Sequence, residues 1–154
     1  MIILGLDPGL TRTGYGVVEK MGLGFVYKES GVFKAAGRPA LPARLAFLER
    51  ETEKIFRRVL PDRVGVEKLF FEKNVKTALD VAQARGILLA VAARRGMSIF
   101  EIAPTSVKAA ITGNGRAEKT AVAKMLRILL GIKTGGMLDD ETDALAVAIA
   151  VSAF

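Results

Sequence analysis

The sequence predicts an α/β protein whose mixed five-stranded sheet is flanked by helices on both faces. The first observation is a series of three N-terminal segments rich in β-branched and aromatic residues and joined by short glycine-containing turns, as in antiparallel hairpins. The second is that long helical patterns alternate with short apolar runs in the rest of the chain, which is typical of β/α alternation.

Three strands are predicted in the N-terminal part. An apolar run from Ile2 to Leu6 ends in one acid, Asp7, and breaks at Pro8-Gly9. The run is too short to span a membrane and lacks the basic start of a signal peptide, so it predicts a buried strand. The second and third strands are predicted over 13–18 and 24–33.

Helices and strands then alternate along the chain. A loop with Gly37, Pro39 and Pro42 precedes the first helix. The predicted elements are a helix over 43–60, a strand over 63–67, a helix over 75–94, a strand over 97–102, a helix opened by Pro104, a helix over 117–130 and a last apolar helix over 138–150. Because no internal repeat or domain boundary is visible, residues 1–154 are predicted to form a single domain.

The composition excludes several kinds of site. The 154 residues carry a net charge of +7, which favours a nucleic-acid partner over an anionic membrane surface. The absence of cysteine and histidine excludes thiolate and imidazole ligands, cysteine nucleophiles and serine–histidine triads. A bound metal would need oxygen ligands, which favours Mg²⁺ or Mn²⁺. No apolar run of about 20 residues occurs, so the chain is predicted to be soluble and cytoplasmic.

Acidic residues end two predicted strands and open the last helix. Asp7 and Glu67 each follow a short apolar run, and parallel pairing of their strands would bring the two acids together. Acids at a helix start are also ordinary helix-dipole partners, and spacing does not choose between Asp139 and Asp140 as the companion of Asp143. Carboxylates from three distant segments are what a two-metal phosphodiester site needs, with its ions about 4 Å apart.

Four sequence blocks together carry a family resemblance. They are Gly5-Leu-Asp-Pro-Gly9 with Thr13-Gly-Tyr-Gly16; Val66-Glu-Lys-Leu-Phe70 with Lys73-Asn74, Ala78-Leu79 and Gln83-Ala-Arg-Gly86; Gly113-Asn-Gly-Arg-Ala-Glu-Lys119; and Asp140-Glu-Thr-Asp-Ala-Leu-Ala146. In order and separation these blocks resemble the RuvC family of bacterial Holliday-junction resolvases, in the RNase H-like superfamily. The resemblance covers essentially the whole chain.

The resemblance implies an RNase H-like fold and a structure-selective endonuclease that resolves four-way DNA junctions by paired symmetric nicks, leaving 5′-phosphate and 3′-hydroxyl ends. It implies that the catalytic and metal-binding acids are Asp7, Glu67, Asp140 and Asp143, holding two Mg²⁺ per subunit, for which Mn²⁺ can substitute. Asp139 and Glu141 would then be helix-start charges. The implied partners are junction DNA, a second copy in a homodimer, and a branch-migration complex of RuvA and RuvB.

Basic residues flank these acids in sequence and are candidates for phosphate contacts, although each alone also fits a solvated surface charge. The group comprises Lys68, Lys73, Lys76, Arg85, Lys108, Arg116, Lys119 and Lys124. The resemblance adds Asn74 to the DNA contacts and places Lys108 and Lys119 near the scissile phosphate. It also favours Phe70 as a wedge or stacking residue at unpaired bases.

The helix over 75–94 is a candidate for part of the dimer interface, because it has more alanines and apolar residues than one sheet face covers, among them Val81, Ala82, Ile87, Leu88 and Val91. Three other functions stay open at this point. They are an RNase H-like nuclease acting on RNA or a hybrid duplex, an actin-like nucleotide binder and a non-catalytic junction-binding module. The actin-like alternative is disfavoured because such proteins enclose the nucleotide between two lobes, and a chain of 154 residues is too short for two lobes.

Overall fold

The computed structural model describes residues 1–35, 37, 40–69, 75–133 and 136–154, and only the backbone of 75–77. Within these ranges, no helix combines the length and the apolarity needed to cross a bilayer. The elements, in chain order, are β1 (Ile2–Asp7), β2 (Arg12–Met21), β3 (Gly24–Lys34), α1 (Leu41–Val59), β4 (Arg63–Glu67), α2 (Val75–Arg94), β5 (Ser98–Ile102), α3 (Pro104–Thr112), α4 (Lys119–Leu130), α5 (Asp139–Ala150) and a 3-10 turn (Val151–Ala153).

The sheet is mixed, and its order is β3-β2-β1-β4-β5. The first three strands form an antiparallel meander, while β4 and β5 lie parallel to β1 on its other side. Leu6 of β1 pairs with Val66 of β4, so the acids that follow them are neighbours at the same edge of the sheet. This confirms the predicted five-stranded α/β fold and the predicted parallel pairing.

Helices cover both faces of the sheet, as predicted. Side chains of a strand alternate between faces, so Ile3 packs in one core with residues of α3, α4 and α5. Leu4 and Leu6 pack in the other core with residues of α1 and α2. The strands are therefore buried on both sides, which is why β1 and β4 read as apolar runs in the sequence.

Two helix starts differ from the predicted ones by two residues, and the other helix ends differ by no more than one. Helix α1 begins at Leu41 instead of residue 43, because Pro42 lies in the first turn, where its missing N–H costs no helical hydrogen bond. Helix α4 begins at Lys119 instead of residue 117. Ala117 is buried and lies in the connection before α4, where its N–H donates to the Asn114 carbonyl.

Helix α5 lies close to the sheet because several strand glycines face it, among them Gly5 and Gly14. A Cβ atom on Gly5 of β1 would lie 2.0 Å from the Ala144 carbonyl oxygen, and one on Gly14 of β2 would lie 1.9 Å from the Asp140 carbonyl oxygen. Any larger residue would meet the helix backbone, so these glycines set the height of α5 above the strands. That height fixes how closely the acids of α5 approach Asp7.

The apolar residues of α2 divide between the core and the surface. Leu88 and Val91 are fully buried within the chain itself, so these two residues belong to the share of apolar surface that the sheet covers. The period of the helix directs them at β1 and β4, where they pack with Leu4 and Val64. Leu79 is exposed, and Val81, Ala82 and Ile87 are partly exposed.

Candidate active site

Three separate elements bring acidic side chains together at one edge of the sheet. Asp7 ends β1, and Glu67 ends the adjacent parallel strand β4. In the antiparallel register Asp7 pairs with Gly14, and Gly14 in turn faces the Asp140 backbone of α5. The first turns of α5 therefore lie over the end of β1, and both Asp140 and Asp143 act electrostatically on Asp7.

Burial and mutual repulsion make ionisation of these acids costly. The pKa of Asp7 is raised from 3.8 to about 8, first by burial and then by the charges of Glu67, Asp143 and Asp140. The pKa of Glu67 is raised to about 7, first by burial and then by Asp143. Lys119 lowers the pKa of both acids. The site thus has an excess of negative charge that a bound cation would relieve.

Two cations of the chain already contact two of the acids. The Lys119 ammonium donates a hydrogen bond to Asp143 Oδ2 at 2.8 Å, and this bond is the main reason that the pKa of Lys119 is raised. Arg12 Nη2 lies 3.1 Å from Asp140 Oδ2. That oxygen is nevertheless buried without a well-formed hydrogen bond, since the guanidinium approaches it at an unfavourable angle.

The donor set fits a hard divalent cation. All four candidate ligands are carboxylates, and the buried Asp140 Oδ2 has no well-formed hydrogen bond that an ion would have to replace. In the part of the chain that the structure describes, no three acids converge closely enough to enclose one ion as they stand. In this arrangement Arg12 pairs with Asp140 and Lys119 pairs with Asp143.

Two of the four acids, Glu67 and Asp143, line a cleft of about 440 Å³ between β4, α3, α4 and α5. Its polar lining consists of Glu67, Lys68, Lys108, Lys119 and Asp143. Lys108 is close enough to lower the pKa of Glu67. A cleft with carboxylates at its base and lysines on its walls suits a phosphodiester, because the lysines attract the phosphate backbone.

The structure distinguishes the predicted ligands Asp140 and Asp143 from the neighbouring acids of α5, which spacing alone did not do. Asp139 is exposed and does not affect the pKa of Asp7, whereas Asp140 and Asp143 do. Glu141 turns toward β3: its Oε2 accepts a hydrogen bond from Ser30 Oγ at 2.8 Å, and its Oε1 accepts one from the Leu138 N–H at 3.3 Å.

Glu141 is thus an anchor for the start of α5, a role that sequence reasoning reduced to a helix-start charge. Ser30 also pairs with the Tyr27 hydroxyl at 3.2 Å, so the anchor reaches two positions on β3. A glutamate at the third position of a helix was the available signal for the contact with the Leu138 N–H. Its bond to Ser30 joins residues 111 positions apart, and no local pattern predicts that bond.

The predicted DNA contacts lie at different kinds of positions. Phe70, Lys73 and Asn74 lie outside the described residues, as does the side chain of Lys76. Arg116 is exposed, and its N–H donates to Asn114 Oδ1 in the turn before α4. Arg85 is largely buried, forms an ion pair with Glu101 and donates to the Glu67 carbonyl at 3.3 Å. Arg85 therefore steadies the end of β4, a role that sequence reasoning missed.

The metal-free protein is expected to lose stability as the pH rises toward 8. The folded pKa values of about 8 for Asp7 and about 7 for Glu67 exceed the ordinary values of 3.8 and 4.5, so the folded state binds more protons than the unfolded state. Their stabilising contribution is complete below pH 3.8 and is lost as the pH rises through about 7 and 8. Thermal unfolding in EDTA between about pH 5 and about pH 9 measures this loss.

Excess Mg²⁺ should flatten that pH profile, because an ion compensates the ionised carboxylates. The variants Asp7→Asn and Glu67→Gln should flatten it in EDTA without any ion. Equal slopes in the wild type and both variants would show that other groups cause the pH dependence.

The fold and the site together define a class of protein. A mixed sheet in the order β3-β2-β1-β4-β5, with carboxylates at the ends of β1 and β4 beneath the start of α5, is that of an RNase H-like α/β nuclease. The family model described as crossover junction endodeoxyribonuclease RuvC matches residues 3–151. The chain belongs to this RuvC family, whose nucleases are metal-dependent.

Individual relatives support this membership and confirm the resemblance seen in the sequence blocks. The RuvC proteins of Desulfitobacterium hafniense and Heliobacterium modesticaldum are 41% and 44% identical over 149 residues, which are 97% of this chain and 90% and 92% of those proteins. The structure of T. thermophilus RuvC in complex with Holliday junction substrate aligns with a TM-score of 0.92 and 32% identity, covering 99% of this chain and 93% of that one.

Proposed function

We propose that this chain is a Holliday-junction resolvase, a single RNase H-like domain over residues 1–154 that nicks four-way DNA junctions. The observation that carries the proposal is the meeting of Asp7, Glu67, Asp140 and Asp143 in a family of crossover junction endodeoxyribonucleases. The products are 5′-phosphate and 3′-hydroxyl ends, which a ligase can seal. Membership in the family supports DNA as the substrate; the fold alone would equally suit an RNA or hybrid substrate.

The four acids are proposed to hold two Mg²⁺ ions per subunit, with Mn²⁺ as a substitute. When bound, such ions supply Lewis-acid stabilisation and activation of a water for in-line attack on phosphorus. Asp7 lies between the acids of β4 and those of α5 in electrostatic reach of both, which supports it as the shared ligand. The buried strands β1 and β4 fix Asp7 and Glu67, so the chain has little reorganisation to make at this end of the site.

The lysines of the cleft are proposed to position the phosphodiester. Lys119 and Lys108 both line the cleft with Glu67 and lower its pKa, which supports both as contacts of the scissile phosphate. With Asp143 as a metal ligand, the Lys119 ammonium that now donates to it would be available to pair with a phosphate oxygen and to stabilise charge that develops there. The further proposed DNA contacts are Phe70, Lys73, Asn74, Lys76, Arg85 and Arg116.

Two assemblies complete the proposal. Resolution of a two-fold symmetric junction needs two matched nicks, which supports a homodimer with one site per subunit. The exposed Leu79 and the partly exposed Val81, Ala82 and Ile87 place apolar surface on α2 for that contact. A further proposed partner is a branch-migration complex of RuvA and RuvB. The proposed location is the cytoplasm.

A nicking assay tests the proposed function. Purified protein is incubated with Mg²⁺ and an end-labelled four-way junction, a linear duplex of the same sequence, or an RNA–DNA hybrid. We expect symmetric nicks in the junction, ligatable ends, and little cutting of the other two substrates. Cutting of the hybrid with an intact junction would instead support the RNA-directed alternative, and binding of the junction without any nick would support the non-catalytic one.

A further inference from the structure

Arg12 contacts the site from a strand that contributes none of the four acids. It is the first residue of β2, directly after the turn that follows Asp7. Its side chain is 52% exposed, whereas that of its partner Asp140 is 18% exposed. The guanidinium therefore covers the solvent side of a carboxylate that is otherwise enclosed.

The backbone beneath Arg12 is held firmly. Thr13 Oγ1 donates to the Gly9 carbonyl at 2.6 Å, and the Ala35 N–H donates to the Thr11 carbonyl at 2.9 Å. A Cβ atom on Gly9 would lie 2.1 Å from the Arg12 carbonyl oxygen, so the turn is closely packed. The backbone of the residues on either side of Arg12 is fixed by these hydrogen bonds. The long side chain of Arg12 is therefore the part that can move.

The contact between Arg12 and Asp140 is an ion pair that does not satisfy the carboxylate. The two atoms lie 3.1 Å apart, yet Asp140 Oδ2 is buried and receives no well-formed hydrogen bond. By contrast, Lys119 donates a well-formed bond to Asp143 at 2.8 Å. A half-exposed pair of poor geometry is weak, so a divalent ion replaces its guanidinium at small cost.

We propose that Arg12 is an exchangeable counter-ion: it neutralises Asp140 in the metal-free protein, yields this carboxylate to the divalent ion, and then binds a phosphate of the DNA. This inference rests on the proposed function. Its consequence is positive coupling, because DNA that draws Arg12 away from Asp140 removes a competitor of the ion, and the ion in turn frees Arg12 for DNA. Such coupling is reciprocal by thermodynamic linkage.

The variant Arg12→Gln separates this role from a merely structural one, because the two ligands respond in opposite directions. Without DNA, we expect Mn²⁺ to bind about 5-fold more tightly, the factor that corresponds to a weak ion pair. The second measurement is junction binding in Ca²⁺, with the DNA checked for integrity. We expect weaker binding, and we expect the dependence of the junction affinity on salt concentration to fall by about one phosphate contact. Titration calorimetry and fluorescence anisotropy measure the two affinities.

Lys28→Gln is the matched control. Lys28 is 47% exposed and pairs with Glu19 at the same 3.1 Å, but Glu19 is opposite Ile2, at the other end of β1 from Asp7. This control removes the same charge and should leave Mn²⁺ affinity unchanged. Arg12→Lys should give intermediate values.

Unchanged or weaker Mn²⁺ binding by Arg12→Gln would overturn the proposal, as would the same tightening in Lys28→Gln. If the wild type binds no Mn²⁺ and leaves the junction intact, the proposed function itself fails. That outcome is distinguishable because it is seen without any variant. Thermal unfolding in EDTA checks that all variants fold equally well.

Discussion

Replacing Asp7 by asparagine is expected to reduce the junction-nicking rate by at least about 10³-fold, a loss on the order of 4 kcal/mol of transition-state stabilisation. The charges of Glu67, Asp143 and Asp140 all raise the pKa of Asp7. Removal of the Asp7 carboxylate therefore affects the proposed ion site both on the β4 side and on the α5 side. The measurement is the single-turnover rate on a four-way junction with saturating Mg²⁺.

The same substitution is expected to stabilise the metal-free protein. At about pH 8 the wild type carries the cost of a buried, repelled carboxylate whose pKa has risen from 3.8 to about 8. A neutral amide avoids this cost, so we expect a gain on the order of a few kcal/mol in EDTA that shrinks at acidic pH. An inactive variant that is more stable than the wild type would show that Asp7 is retained for function and not for folding.

Asp139→Asn is the matched control for this prediction. It removes the same charge from the first turn of α5, but Asp139 is exposed and does not influence the pKa of Asp7. Its nicking rate should stay within about 3-fold of the wild type, and its stability within about 0.5 kcal/mol. The active-site assignment is wrong if Asp7→Asn nicks as fast as Asp139→Asn.

Gly14→Ala is expected to give the largest loss of stability, at least about 3 kcal/mol in the free energy of unfolding. The added methyl group would lie 1.9 Å from the Asp140 carbonyl oxygen and 2.5 Å from its carbonyl carbon. Backbone atoms cannot move aside as a flexible side chain does, so the start of α5 must lift from β2. Urea denaturation at a fixed pH measures the change.

Because α5 carries Asp140 and Asp143, the lift should also lower activity at temperatures where Gly14→Ala is still folded. Gly24→Ala is the control, since its Cβ atom would lie 3.7 Å from the nearest atom, an ordinary contact. We expect its stability to change by no more than about 0.5 kcal/mol. If Gly14→Ala were as stable as Gly24→Ala, α5 would not be held at the height described.

The positions of the acids on strands β1 and β4 were predictable from the sequence for a physical reason. Short apolar runs ending in Asp7 and Glu67 have to be buried on both faces, and such strands pair in parallel with their ends aligned. The absence of histidine and cysteine then limited the possible ligands to oxygen atoms. The apolar pattern of each strand was sufficient for the first inference, and the composition of the whole chain was sufficient for the second.

The choice among the acids of α5 required more than local information. Asp139 and Asp140 are adjacent in sequence and differ only in which one the helix turns toward β1. The family resemblance favours Asp140, and the close approach of its backbone to Gly14 is consistent with that prediction. The contacts of Arg12 with Asp140 and of Glu141 with Ser30 were not predicted, because each joins elements far apart in the chain.

The sequence by itself determined the strands, the alternation of helices, the all-oxygen character of the site and the family. These follow from hydrophobic periodicity, composition and motifs, which are local properties of a chain. Tertiary structure alone decided the height of α5 above β1. It also decided the ion pairs of Asp140 with Arg12 and of Asp143 with Lys119, and the hydrogen bond from Ser30 to Glu141. These depend on how two distant backbones pack, and a contact between residues over 100 positions apart leaves no periodic signal in either segment.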